Sequence, residues 1–300
     1  MKNIVILGGT NHDVFAYAHH PIKFNDSNPG YLKKSFGGVG RNIAENLARL
    51  DLNPTLITVI GKDSIGRRIV KEGTDLGIHF DVIEVEQTPT YVAVLDQHKD
   101  MLVAIAAMDE YEEITIAEIS KKHKTIENAD LLIMDTNFSD QVLSYMFDHV
   151  NKPIYVDVIS TQKAQKIKPY YAKIQMLKLN LMEAKSLSQL GCETKMDIEE
   201  IGIYFMNQGI KEIFITLGDK GAYYFDGKNH HFMTGRNIPI ENTTGAGDAF
   251  FAGVIYAKEH QLNPLSCGMA ASIITLQDDQ AVSPKMNQAQ LSQTIKEYQL

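Results

Sequence analysis

Six short, largely apolar runs constrain this chain more than any other feature: Ile4–Leu7, Leu56–Ile60, Leu131–Met134, Ile154–Val158, Ile174–Leu179 and Ile213–Leu217. Each has strand length, and all but Ile154–Val158 are followed at once by a Gly, Asn or Asp. A strand with one wet face alternates polar and apolar residues. A continuous apolar run implies burial on both faces, as in a parallel sheet covered by helices. Helical spacing fills the intervals, with Ile43, Leu47 and Leu50, then Ile65, Ile69 and Leu76, then Ile198, Ile201 and Phe205. Ala246–Tyr256 and Ser266–Leu276 carry few charges and predict buried helices. This alternation predicts an α/β three-layer sandwich around a mostly parallel central sheet. A chain of 300 residues can bury such a core in one large domain with a small appendage.

Residues 14–36 and 90–106 break the rhythm and read as antiparallel strands. Tyr91–Leu95 and Met101–Ile105 flank the polar turn Asp96–Asp100, a hairpin signature, and Asn25–Gly30 is a dense turn cluster. Together they predict a small β-lid on a main domain made of residues 1–13, 37–89 and 107–300. The alternative is that both segments merely edge the main sheet. Exposed strand edges tend to pair, which predicts a homodimer through the lid. A net charge of −8 argues against a basic nucleic-acid surface. The two cysteines, Cys192 and Cys267, form no CxxC pair. The first apolar run is too short for a signal peptide, no stretch approaches a membrane span, and the expected compartment is the cytoplasm.

The sharpest local signal is Asn242-Thr243-Thr244-Gly245-Ala246-Gly247-Asp248, leading into an apolar helix. Small residues at a helix start leave backbone N–H groups uncovered, which makes an anion site. Asp248 falls in the first turn, placed to take a proton from an attacking hydroxyl. A generic GxGD is more often only a helix start with a dipole partner, so the other motifs matter. Gly37-Gly38-Val39-Gly40-Arg41-Asn42 enters a second helix, where glycines admit a ligand to the backbone and Asn42 can bond a polyol. Asn11 and Asp13 follow the first strand, at the end where open α/β sheets bind ligands. Asn180 and Glu183 stand one helical turn apart, suited to hydrated Mg²⁺ or equally to a helix cap. Thr216, Gly218 and Gly221 end another strand and offer backbone to a nucleotide, or form a simple tight turn. No P-loop or GxGxxG fingerprint occurs.

In chain order these pieces resemble the ribokinase-like (PfkB) carbohydrate kinases over essentially the whole chain. The resemblance implies a β-lid over the sugar and in-line transfer of a phosphoryl group from ATP to a primary hydroxyl. By motif, Asp248 is the base, with Gly245, Ala246 and Gly247 as the anion hole and Thr244 beside the nucleotide. Asn180 and Glu183 would position Mg²⁺ through water. Asn11, Asp13, Gly37, Gly38, Asn42 and Thr90 would hold the sugar or nucleoside, and the Gly218 turn would lie by ATP. Asp26–Gly30, Gly37–Ala44 and Met101–Ile105 resemble the family members that phosphorylate pseudouridine. Ribose, fructose and other nucleosides are the alternative acceptors, and a ligand-binding regulator is the alternative class. Asn25, Asp26, Ser27 and Thr90 are the candidates for reading the base. The family often has Asp where this chain has Asn242, and an amide brings no charge, so activation by a monovalent cation stays open.

Overall fold

The computed structural model describes residues 2–192 and 194–300. Its strands are β1 (Ile4–Leu7), β2 (Asn11–Ala18), β3 (Gly30–Gly37), β4 (Thr55–Gly61), β5 (His79–Val85), β6 (Thr90–Leu95) and β7 (Met101–Ala107). They continue with β8 (Leu131–Asp135), β9 (Ile154–Asp157), β10 (Met176–Asn180), β11 (Glu212–Thr216), β12 (Gly221–Phe225) and β13 (His230–Thr234). Nine of these form one sheet in the order β13-β12-β11-β10-β9-β8-β1-β4-β5. Only the β11–β12 and β12–β13 pairings are antiparallel.

Continuous apolarity does what the sequence predicts. In β1, Ile4 and Ile6 enter the core on one face of the sheet, and Val5 and Leu7 enter the core on the other. The first core is closed by the helices Val39–Arg49, Ala246–His260 and Pro264–Leu276. The second is closed by Asp140–His149, the 3-10 helix Lys163–Lys173, Leu181–Ser188 and Lys195–Asn207. Layers on both sides of a mostly parallel sheet give the three-layer sandwich. Among the described residues, no helix is long and apolar enough to cross a membrane.

From β1 the chain first builds outward through β4 and β5, then returns to β8 on the other side. The strand order therefore reverses between β1 and β8, and the crevice at their carboxyl ends is where such sheets bind ligands.

The remaining strands form a separate four-stranded sheet in the order β3-β2-β6-β7, so the two irregular segments do not edge the main sheet. It is not wholly antiparallel, because β2 and β6 run parallel. Parallel neighbours need a long crossover, and residues 38–89 of the main domain supply it. The sheet also starts earlier than residue 14, with Asn11, His12 and Asp13 already on β2. Val14, Ala16, Val92, Val94, Val103 and Ile105 share one of its faces by register. Asp13, Phe15, Tyr91, Ala104 and Ala106 share the other.

Candidate active site

Two glycine-rich turns meet at the β1–β8 switch point, held by one buried carboxylate. Asp135, the last residue of β8, accepts from the Gly9 amide at 2.6 Å and the Gly40 amide at 3.0 Å. It also accepts from Asn137 N at 2.9 Å and Asn137 Nδ2 at 3.2 Å. Burial pushes its pKa up, and these donors pull against that. Gly38 has φ 98°, and a side chain there would begin 2.3 Å from the Gly9 carbonyl oxygen. Only glycine fits that closure.

This clamp starts the helix Val39–Arg49 beside β2 and directs Asn42 inward. Asn42 Nδ2 donates to Asp248 Oδ2 at 2.8 Å, across 206 residues of sequence and within the interior. Asp13 sits on the lid strand, where Asn11 Nδ2 donates to its Oδ1 at 2.6 Å. Burial raises the Asp13 carboxyl to about 6, against the pull of Asn11 and of Arg41. Arg41 is itself held by the Phe36 carbonyl, 2.9 Å away, and by Glu45.

The helix Ala246–His260 begins at Gly245, which has φ 79° and lacks a side-chain cap. A Cβ at Gly245 would meet the Ala281 carbonyl oxygen at 1.9 Å, so the turn requires glycine. Its first N–H groups receive no side-chain acceptor and form the positive end of a fifteen-residue helix. Asp248, buried in that turn, has its pKa raised to about 7 by burial and by the charge of Asp157. Lys178 and the Asn42 bond oppose that rise.

Lys178 and Asp157 were not evident in the sequence. Lys178 Nζ lies 2.9 Å from Asp157 Oδ2, with side chains only 7% and 2% exposed. The same ammonium stands 2.8 Å from where a Gly247 side chain would begin, against the wall of the uncapped turn. A usable signal existed. Asp135 and Asp157 each close an otherwise apolar strand and Lys178 interrupts another, and a buried polar residue needs a partner or a ligand.

Asn180 and Glu183 form a complete capping box. Asn180 N donates to Glu183 Oε2 at 2.8 Å, and Glu183 N donates to Asn180 Oδ1 at 2.9 Å. Burial, with the charge of Asp157, raises Glu183 against the pull of this cap and of Lys178. The turn Gly218–Lys220 closes β11, where Thr216 Oγ1 donates to the Leu179 carbonyl at 3.4 Å and Gly218 is exposed. Gly221 opens β12. Thr244 N donates to Asn242 Oδ1 at 3.0 Å.

Not every candidate converges. Thr90 pairs with His12, on the face of the lid opposite Asp13, and its hydroxyl donates to the Thr88 carbonyl at 2.8 Å. Asn25, Asp26 and Ser27 lie exposed in the β2–β3 loop, about 17 Å along the strand from Asp13. The side-chain amide of Asn242 is engaged on both its atoms. Its amide oxygen already accepts from Thr244, while its Nδ2 donates to the Asp279 carbonyl at 3.3 Å. The lid residue Lys33 donates to the same carbonyl at 3.0 Å and to Asp279 Oδ2 at 2.9 Å. Asp157, Asp248 and Glu183 all act on the buried ammonium of Lys178, and among the described residues no three His, Cys, Asp or Glu side chains are grouped to ligate a metal directly.

Comparison with known proteins agrees with this geometry. Residues 1–282 match the pattern of pfkB family carbohydrate kinases. The pseudouridine kinase of Escherichia coli (strain K12) is 34% identical, over 84% of this chain and 82% of that protein. A carbohydrate kinase from Agrobacterium tumefaciens superimposes with a TM-score of 0.86 at 26% identity, covering 99% of this chain and 97% of the other. Arabidopsis thaliana ribokinase, solved with ribose and ATP, shares the fold with a TM-score of 0.82 at 21% identity, covering 98% and 99%. The chain belongs to the pfkB family of carbohydrate kinases.

Proposed function

We propose that this kinase transfers the γ-phosphoryl group of ATP to the primary hydroxyl of a nucleoside, and that the nucleoside is pseudouridine. The observation that carries the chemistry is the Asn42–Asp248 pair at an uncapped helix start. In this reading Asp13, with the Gly37–Gly38 backbone and Asn11, holds the ribose diol and leaves the primary hydroxyl facing Asp248. The hydroxyl proton passes to the Asp248 carboxylate as the new O–P bond forms. The bond from Pγ to its bridging oxygen breaks, and ADP departs. The amides of Gly245, Ala246 and Gly247, with Lys178 beside them, stabilise charge on the phosphoryl oxygens. Thr244, Thr216, Gly218 and Gly221 flank the nucleotide.

Asn180 and Glu183 would hold Mg²⁺ through water, and the ion would shield the phosphate charge. The lid, residues 14–36 and 90–106 with the start of β2, closes over the acceptor and pairs with a second copy. The reading puts the reaction in the cytoplasm, where ATP is supplied.

Pseudouridine is supported by the relative at 34% identity. Its C-glycosidic bond leaves N1–H free, and a site built around that donor rejects uridine by at least about a hundredfold in kcat/KM. An acceptor panel of pseudouridine, uridine, ribose, fructose and adenosine with ATP tests the assignment. Faster transfer to ribose, fructose or adenosine than to pseudouridine would sink the substrate and leave the kinase.

A further inference from the structure

The carboxyl ends of β1, β8 and β9 carry polar groups that the transfer chemistry does not use. Lys163 is tied to this crevice through Asn137, whose side chain bonds Asp135 with its nitrogen and Lys163 with its oxygen. Asn137 joins the two. Its Nδ2 stands 2.0 Å from where a Gly9 side chain would begin, so it packs directly on the turn after β1. With Nδ2 and the backbone N–H of Asn137 both engaged by Asp135, its Oδ1 accepts from Lys163 Nζ at 2.6 Å.

That bond leaves Lys163 short of partners. It goes to a neutral oxygen, and among the described residues no carboxylate lies within ion-pair distance of this ammonium. The neighbouring Lys166 has Glu112 at 2.7 Å and the Phe138 carbonyl at 2.9 Å. Burial already works against the charge on Lys163. An ammonium has three donors, and with one given to Asn137 Oδ1 it can still donate to a ligand oxygen.

The backbone that delivers it is strained. Ile159, just past β9, has φ 64°. A β-branched residue there is a real outlier, and strain of this kind gathers at ligand-binding positions. The tight turn continues with Ser160 N donating to the Val158 carbonyl at 2.6 Å and Lys163 N donating to Ser160 Oγ at 3.3 Å. A relaxed extended residue at 159 would send the segment, and Lys163 with it, elsewhere.

We propose that Lys163, aimed by Asn137, reads a carbonyl oxygen on the base of the acceptor nucleoside. The inference rests on the nucleoside reading above and adds the part of the base that is recognised. A pyrimidine with ring carbonyls satisfies the ammonium. Adenosine offers no carbonyl, and free ribose offers no base. Uridine and pseudouridine both carry carbonyls, so Lys163 favours the class and does not separate those two.

Steady-state kinetics of Lys163→Met against wild type test this, with Lys163→Arg as the conservative variant and Lys163→Gln in reserve should the methionine form fold poorly. The expected result is a KM for pseudouridine raised about tenfold to a hundredfold, the range for losing a charged hydrogen bond. The KM for ATP should move less than threefold, and Lys163→Arg should recover most of the loss. An unchanged KM for pseudouridine overturns the proposal and leaves the nucleoside reading standing. So does an equal collapse for both substrates, which would mark a structural role. Wild-type enzyme that turns over no carbonyl-bearing nucleoside overturns both.

Discussion

A carboxylate that must take a proton near neutrality has to be held above its ordinary range yet stay able to ionise. Asp248 meets both demands through opposing neighbours. Burial and Asp157 raise it to about 7, while Lys178 and Asn42 favour its charged form. The base works only when ionised, so kcat/KM should rise with pH through about 7 and level off above it, as a pH–rate profile will read. A profile flat from pH 5.5 to 8.5 would argue against Asp248 as the base. Asp248→Asn should lower kcat by about a hundredfold to ten-thousandfold with ATP binding retained, because an amide accepts no proton. Turnover within about tenfold of wild type would end the assignment. Lys178→Met tests the opposing side. It leaves Asp157 buried without its cation, a change that costs about 3–5 kcal/mol in folding stability, measurable by urea unfolding. It also removes the charge that favours ionised Asp248, so the rising limb should move to higher pH.

In the proposed reading the lid closes over the acceptor, and one of its ties to the main domain is an exposed ion pair. Lys33 on β3 donates to Asp279 in the loop whose Ala281 carbonyl abuts Gly245, so one exposed ion pair links the lid to the anion-hole turn. Exposed pairs contribute little, and such a latch can open and close readily. Acceptor binding should therefore slow amide exchange in residues 11–37 and 90–107, and no added protection in either stretch would speak against a closing lid. How legible these elements were follows from how local their causes are. The central strands showed in the sequence because burial on both faces writes a continuous apolar run, as in Ile4–Leu7. The edge strand β5 did not, because His79 and Glu84 face water and interrupt it. The β6–β7 hairpin showed through its turn, whereas the parallel β2–β6 pairing depends on a crossover of about fifty residues that no local pattern records. The glycine turns and Asp248 were visible because backbone closure demands particular residue types at fixed spacing. Asp135, Asp157 and Lys178 stood out only as charges in apolar strands, and their roles, like that of Lys163, become meaningful only beside residues distant in sequence.

At the scale of the whole molecule, the feature still to be explained is the apolar back of the lid. Val14, Ala16, Val92, Val94, Val103 and Ile105 share the face opposite Asp13, and Leu32 continues it on β3. Leu32, Val103 and Ile105 are 57%, 54% and 64% exposed. Single exposed apolar residues are ordinary, but a contiguous face flanked by the unpaired edges of β3 and β7 exposes both greasy surface and unmet backbone hydrogen bonds. Both are relieved if a second copy lays its own lid across the first, as a two-fold pair in which the same face serves both chains. The arrangement leaves the Asp13 face of each lid free for its acceptor. Light scattering on the purified enzyme at micromolar concentration should therefore give a mass twice that of the chain. The double substitution Val103→Asp and Ile105→Asp places charge at the centre of that face, where a buried, unpaired carboxylate costs several kcal/mol, and should return the monomer. The central sheet, whose two cores lie elsewhere, should keep its melting temperature within a few degrees, because surface substitutions away from such packing usually change stability by no more than about 0.5 kcal/mol. Loss of the dimer should lower kcat/KM for the acceptor more than for ATP, since the lid carries Asp13, the proposed acceptor contact. A wild-type enzyme that stays monomeric at those concentrations would mean that the lid's apolar back is covered by something other than a second copy of this chain.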